Sequence, residues 1–476
     1  RGSKGSKGNK SLGGGSGFSG TTGSSRYVFA ENLESYKDDF QKKFTVTKGY
    51  EPFEDVPKYL VEGVRELFLI LYKVYSMKPF LEPLDEQVGM QDETLEVTFG
   101  IAEECKKVIA TVSSIDDWLV DNKNHSKINF IFVQKRRGRL LRKIWPPSYY
   151  FYYREWHRKV LEIAKQLIDK ESYDLCHQLT MCGFREPGFL SELDIPFVWG
   201  PMGSMGYFPS KFLLHVGLKG FFYHSAYNVY NFFHMRFLSR PKRSAKKAGV
   251  GLLAATSENQ KLIRTFWELD STMITEIGIP NISGTIRSSV RYEGEPIKIV
   301  WSGLHISRKA LNLAIAAVAQ LPENVEWELH ILGSGELTVH WKEYAKRLNV
   351  ADRCFFHGMM PRADALGIML SCHISLITSL RDLTSAVTIE SISLGLPVIC
   401  LDHCGFSDVI DESCGVPVVV STFDQTTTEI ANAITLLASD ETLRQKLAVS
   451  AYKKSATYSW DKKVEVLNKI YTDKLS

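Results

Sequence analysis

The chain has little that would tie it to an oxidising compartment or to a structural metal. Its eight cysteines are scattered, with no CxxC pair and no histidines at zinc spacing, so the sequence carries no sign of a disulfide framework or a zinc-finger module. Cys176, Cys354, Cys372 and Cys400 lie in or beside apolar runs, as reduced core thiols of a cytosolic protein do. No stretch reaches the ~18 apolar residues of a membrane-spanning helix. No signal peptide is visible, and the sequence begins with Arg1 rather than Met. An excess of one charge is also missing. The 58 Lys and Arg against 54 Asp and Glu leave a net +4, too small to argue for nucleic acid.

What is present suits two domains with full cores, since 476 residues are 44% hydrophobic. Residues 1–25 are Gly, Ser and Lys. With no strand before them they read as a disordered tail rather than a phosphate loop. Residues 26–65 carry patches of amphipathic helix and are otherwise unassigned. An apolar run at 66–75 is a candidate first strand, followed by a Gly-containing loop at 87–94. Strands are then expected at 107–111, 128–133, 173–177, 195–200, 250–257 and 273–277, with a helix over 156–168. The alternation predicts an α/β, doubly wound domain spanning 66–285. A polar stretch at 281–294 reads as a linker. A second α/β domain, 286–460, follows with strands at 297–303, 327–332, 353–356, 373–377 and 396–401. Helices are expected at 310–321, 386–394, 427–438 and 441–458, and residues 461–476 form a last helix.

The second domain is organised around Ser375–Ile410. A buried strand ends in the loop Leu380-Arg381-Asp382-Leu383-Thr384-Ser385; a helix follows, with Thr384 or Ser385 placed to cap it, and Gly395 stops it before the next strand. Open α/β sheets bind ligands outside the carboxyl ends of their strands. Amides at the start of this helix would point at an anion such as a diphosphate, and Glu390 could accept from two sugar hydroxyls. A surface Asp382 and a solvated helix glutamate are the plain alternative.

The stretch resembles the signature of the family 4 glycosyltransferases, retaining enzymes of the GT-B fold. Their motif is an acid, seven residues, then Glu, a Gly-x-Pro-Val strand and a Gly-containing loop. Here these are Asp382, Glu390, Gly395-Leu-Pro-Val398 and His403-Cys404-Gly405. Asp382 stands where the family usually has Glu. The turn Ser302-Gly303-Leu304-His305-Ile306-Ser307-Arg308-Lys309 keeps the family's Lys six residues after Gly303. It has Leu304 where Arg is expected, with Arg308 beside Lys309 as a substitute charge. An exposed basic pair is the alternative reading. Gly333-Ser-Gly335 resembles the Gly-x-Gly turn near the nucleotide, and a simple tight turn fits equally well. Phe356-His357-Gly358 resembles the strand end that touches the nucleobase, and a surface His357 is equally compatible.

On the acceptor side, Asp174-Leu-Cys-His177 resembles the family's Asp-x-x-His strand end. The resemblance implies that His177 orients or deprotonates an acceptor hydroxyl; a structural histidine is the alternative. Gly183-Phe-Arg185-Glu-Pro187 and Gly200-Pro-Met-Gly203 resemble loops of a bacterial subgroup that makes surface polysaccharides. Arg185 is a second choice for the acceptor or phosphate. The expected architecture is therefore GT-B: two Rossmann-like, doubly wound domains facing across a cleft, the last helix crossing back to the first. The expected activity is retaining hexosyl transfer from a nucleotide diphosphate sugar to a glycan or lipid-linked acceptor. Glu390 would hold the ribose, Asp382 the sugar hydroxyls, Arg308 and Lys309 the diphosphate, and amides near Thr384 and Ser385 would assist. No Asp-x-Asp pair occurs, so no metal and no cofactor beyond the donor are expected. An inactive nucleotide-sugar-binding protein and a phosphorylase or epimerase of the same fold are the rival readings.

Lys135–Lys143 packs six cations into nine residues before an aromatic run, and 211–247 repeats the mixture. That composition suits peripheral contact with an anionic membrane on its cytoplasmic, inner face. A solvated helix face beside an aromatic core is the alternative, and no nucleic acid is expected.

Overall fold

The structure is a computed structural model; it describes residues 108–110, 131, 133, 148–179, 182–280 and 290–476, all within the unit Met77–Ser476. The proposed tail, the 26–65 segment, the 66–75 strand, the 87–94 loop, the cation run 135–143 and most of the 128–133 strand lie outside the described residues.

The first half begins with β1 (Val108–Ala110), α1 (Ser148–Lys170), β2 (Leu175–Gln178) and β3 (Phe197–Met202). It continues with α2 (Gly217–Phe237), α3 (Ser239–Ala248), β4 (Leu252–Ala254), α4 (Ser257–Trp267) and β5 (Thr272–Met273). The five strands are parallel and lie in the order β1-β2-β3-β4-β5. Right-handed crossovers in unbroken order put the connecting helices among the described residues on one face. Cys176, Phe197, Trp199, Leu252 and Ala254 indeed pack against Leu161, Met235, Ala245, Ile263 and Trp267. The alternate residues Leu175, Val198, Leu253 and Ile274 point the other way. They are covered by Trp460, Leu467, Ile470 and Tyr471 of the last helix, so the period-two alternation of the strands explains both faces.

The second half runs β6 (Ile297–Ser302), α5 (Leu311–Val318), β7 (Trp327–Leu332), α6 (Thr338–Arg347), β8 (Cys354–Gly358), α7 (Arg362–Leu370) and β9 (Ile374–Ile377). It closes with α8 (Ala386–Ser393), β10 (Val398–Leu401), α9 (Phe406–Val409), β11 (Gly415–Val418), α10 (Phe423–Ser439), α11 (Glu441–Ser455) and α12 (Trp460–Leu475). Its parallel sheet has the order β11-β10-β9-β6-β7-β8. The winding reverses between β6 and β9, and a crevice opens at such a switch point outside the carboxyl ends of the strands. The two loops leaving those strands carry Arg308, Lys309 and Asp382.

Two parallel sheets with interleaved helices make this a GT-B fold. Helix α12 leaves the second half with Ser459 accepting from Lys462 N as its cap. It then covers the open face of the first sheet. Among the described residues no helix is long and apolar enough to cross a membrane.

Candidate functional site

The switch point is built by stitching two loops together. Thr378, just past β9, donates from its hydroxyl to Lys309 O at 3.0 Å and accepts from Trp301 Nε1 at 2.8 Å. Leu380 N donates to Arg308 O at 2.8 Å, and Arg308 Nη1 donates to Arg381 O at 3.1 Å. The turn Ser307–Lys309 ends at Ala310, whose φ of 50° is left-handed.

This framework presents a charged centre. Lys309 Nζ lies 2.8 Å from Asp382 Oδ2, and Arg308 Nη1 lies 3.3 Å from Asp382 Oδ1. The Lys309 and Asp382 side chains are only 2% and 11% exposed. Burial pushes the Asp382 carboxyl up, but Lys309 and then Arg308 outweigh it and hold its pKa at about 2. A buried lysine therefore has its compensating carboxylate in place before any ligand arrives. Arg381 lies with its guanidinium 3.8 Å above the Tyr227 ring, and its buried Nη1 has no hydrogen-bond partner. From the first half, His224 reaches Ser307 Oγ at 3.0 Å and stacks on Phe208. Burial, with Arg381 and Arg308 adding to it, lowers His224 to about 4. The residue patterns did not single out His224 as a site residue, because it sits in a Phe- and Tyr-rich helix.

The glycines act by close approach. A Cβ on Gly333, whose φ is +101°, would fall 2.1 Å from Gly303 O, and one on Gly335 would fall 2.7 Å from His305 O. Gly333 N donates to Gly358 O at 2.9 Å. Gly303, Gly333 and Gly335 thus let three loops meet at the carboxyl edge of the sheet. His357, at the end of β8, lies 3.0 Å from His330 and stacks on it. Burial and the neighbouring His330 lower its pKa.

The expected cap of α8 needs correction. Ser385 occupies the N-cap of α8 at φ 67° without a side-chain cap bond. Thr384 does not cap the helix either. Its N–H donates to Glu276 Oε1 at 2.8 Å and its hydroxyl to Glu276 Oε2 at 3.0 Å. The anion at this amide is the protein's own carboxylate, which burial holds above the usual range. Glu390 is neither solvated nor open, since Arg362 grips its Oε1 from Nε at 2.8 Å and from Nη2 at 2.7 Å.

The acceptor-side residues are also enclosed. His177 is fully buried between Tyr471 Oη at 2.5 Å and Gly200 O at 2.8 Å. Burial lowers it to about 4 against the opposing pull of the Gly200 carbonyl, so near the end of β2 it sits as a neutral, enclosed imidazole. Arg185 donates to His234 Nδ1 at 2.9 Å and Asn231 Oδ1 at 2.5 Å, and packs over the Phe184 ring. Gly203 does face the other half, where a Cβ would meet Leu383 Cδ2 at 2.3 Å. Two surface grooves lie away from this seam. One, about 370 Å³, is bordered by Asp194, Lys247 and Lys474; the other, about 670 Å³, by Val418, Gln425 and Leu436. The buried charges at the switch point, rather than groove size, mark the site.

Residues 284–454 match the family "Glycosyl transferases group 1". The structure resembles that of Anabaena HepE in complex with UDP at a TM-score of 0.54 and 16% identity, covering 79% of this chain and 95% of that one. The complex of the same protein with UDP-glucose gives 0.50 at 16%, covering 80% and 94%. WaaG, a glycosyltransferase involved in lipopolysaccharide biosynthesis, gives 0.49 at 15%, covering 81% and 96%. No curated protein matches the sequence.

Proposed function

We propose that the chain, whose residues 284–454 match group 1 glycosyltransferases, is a glycosyltransferase that transfers a hexosyl unit, with retention, from a nucleotide diphosphate sugar. The acceptor in this reading is a glycan or a lipid-linked saccharide. The observation that carries it is the Lys309–Asp382–Arg308 cluster, buried at the switch point of the second sheet. Fixed cations at that place offer a diphosphate leaving group what it gains in the transition state, namely stabilised negative charge. Arg381 supplies a third cation, a second guanidinium, which suits the absence of an arginine at Leu304. Asp382 pairs with Lys309 and Arg308 and, by the family resemblance, accepts from sugar hydroxyls. Glu390 holds the ribose once Arg362 yields it. Transfer needs no metal at the diphosphate in this reading.

The complexes of the Anabaena protein contain UDP and UDP-glucose, which makes UDP the first nucleotide to try. The test is a thermal-shift titration with UDP, GDP and ADP and their sugars, with and without EDTA, on wild type and Lys309→Met. A ligand at ~100-fold excess over its dissociation constant stabilises by ~2.7 kcal/mol. The reading expects that shift in wild type regardless of EDTA, and its loss in the variant. No shift with any nucleotide would overturn it. The burial of His177 favours a second reading, a donor-binding protein without transfer. Slow hydrolysis of a bound donor sugar would argue against that reading.

The same proposal places the acceptor at a membrane surface. Helix α2 exposes Leu218 (82%), Phe222 (68%) and Phe237 (68%), and Tyr223, Tyr230 and Phe233 each by more than half. Helix α3 follows with exposed Arg243, Lys246 and Lys247. Aromatics that enter the headgroup layer beside lysines and arginines fit an anionic bilayer. Co-sedimentation with phosphatidylglycerol vesicles, weakened by salt and by Phe222→Ser with Phe237→Ser, is the expected result. Equal recovery with neutral vesicles at any salt would count against it.

A further inference from the structure

A cluster outside the donor residues joins the two halves of the molecule. Glu258, on the first turn of α4, faces His403 and Cys404 in the loop after β10. One carboxylate oxygen, one imidazole nitrogen and the Cys404 sulfur all lie within 4.8 Å of one another. We infer that Glu258, His403 and Cys404 form a binding site for a zinc-class divalent cation that bridges the two domains.

Geometry and donor type both favour it. The centre of a triangle no more than 4.8 Å on a side is at most about 2.8 Å from each corner, and zinc bonds to O, N and S run ~2.0–2.3 Å. Movements of roughly half an ångström therefore complete three bonds and leave a fourth position for water. His403 Nε2 lies 3.0 Å from Leu380 O. Donation to that carbonyl fixes the tautomer and leaves Nδ1 with its lone pair, the orienting bond that ligating histidines usually have. Glu258 accepts from the Tyr207 backbone N–H, and among the described residues no ion pair within 4.0 Å joins it to His403, so a carboxylate oxygen remains to ligate. Thiol, imidazole and carboxylate together select zinc over magnesium, which prefers oxygen ligands and keeps its waters. As the sulfur–metal bond forms, the Cys404 thiol gives its proton to solvent.

The consequence is structural coupling at the reaction centre. Two ligands come from the second half and one from the first, so a bound ion ties α4 to the β10 loop. Cys404 Sγ also accepts the Asp382 amide hydrogen bond at 3.1 Å, which places the ion directly behind the residue that holds Lys309. The site is separate from the diphosphate cations, and its test needs no nucleotide. Failure here therefore leaves the donor reading standing, and failure of the donor reading leaves this one.

The experiment is a titration of chelator-treated, dialysed protein with ZnCl2, and with MgCl2 as control. It is read by bound metal per chain and by the thermal midpoint. Wild type is expected to take up one zinc per chain and to melt higher with zinc but not with magnesium. Glu258→Gln and His403→Gln, both at partly exposed positions, should lose the uptake and the shift while keeping the wild-type far-ultraviolet spectrum. Cobalt in place of zinc should show a thiolate charge-transfer band that disappears in Cys404→Ser. Zinc uptake unchanged in all three variants, or none in wild type, would overturn the inference.

Discussion

Lys309 and Asp382 show how strongly single residues are committed at this site. Lys309→Met leaves the Asp382 carboxylate buried with the longer Arg308 contact and the Leu383 amide, which donates to Oδ1 at 3.1 Å. Removing one partner of a buried pair costs ~3–5 kcal/mol when nothing replaces it, so with Arg308 remaining we expect about 3 kcal/mol, read by urea denaturation. The double variant Lys309→Met/Asp382→Asn should recover part of the loss. The acid response follows from the directions of the shifts. Asp382 is depressed to about 2, so its contribution is full above its unfolded value of ~3.9 and disappears as pH falls towards 2. The histidines act earlier. His177, His224, His305 and His373 are lowered to about 4 by burial, against ~6.5 unfolded. A chain with neutral buried imidazoles is fully stable above pH 6.5 and loses stability as pH falls from there to 4, where the unfolded state takes up more protons. Thermal midpoints should be level near pH 7–8 and drop between 6.5 and 4, less steeply in His177→Gln; a flat midpoint to pH 4 would contradict the burial. Lys309, marked through the family resemblance by its spacing after Gly303, does lie in the charged cluster at the switch point. Glu276, 108 positions before Thr384, and Tyr471, 294 after His177, were not, because no local pattern records which distant side chain closes a buried polar group.

At the scale of elements, legibility tracked burial. The strand expected at 327–332 is β7 to the residue, and those at 297–303 and 396–401 are β6 and β10 within two positions at either end. Central parallel strands are apolar runs cut sharply by polar loops. Helix α1 begins at Ser148 rather than the expected 156, because its first two turns are mostly Tyr and Phe, weak helix formers that blur the helical period, and of these only Tyr153 is buried. The cap of α8 was misassigned for a tertiary reason, since Thr384 serves Glu276 instead. Helix α12 carries the clearest prediction here. Leu467 and Ile470 are 3% and 6% exposed against the first sheet, so Leu467→Ala or Ile470→Ala should cost ~2–5 kcal/mol. Tyr471→Phe should cost ~1–2 kcal/mol by leaving His177 short of a partner. If both aliphatic variants melt like wild type, α12 does not seal that sheet in solution.

The whole molecule is held together by a seam at which residues of both halves meet. Ser257 N donates to Asp408 Oδ2 at 2.8 Å, Thr384 donates to Glu276, His224 meets Ser307, and Lys219 pairs with Glu336 at 2.8 Å. The pair with Lys219 is exposed and contributes little; the Glu276–Thr384 contact is buried, and the half-buried Leu383 packs against the buried Gly203. Leu383 fills the space above Gly203 so closely that a methyl group there would lie 2.3 Å from its Cδ2. Gly203→Ala therefore forces the end of a leucine side chain to move or the seam to part, an overpacking cost of ~1–3 kcal/mol. Leu383→Ala removes the obstacle at the expense of some burial. The double variant should then be more stable than the sum of the two single losses predicts, a positive coupling of the kind that only touching residues show. Strict additivity would mean that the halves stand apart in solution and that the seam forms only on binding. In that case the single Gly203→Ala change should leave stability untouched and weaken only the nucleotide-dependent thermal shift. Measuring the cycle with and without UDP separates these outcomes, because a seam closed beforehand gives the same coupling in both.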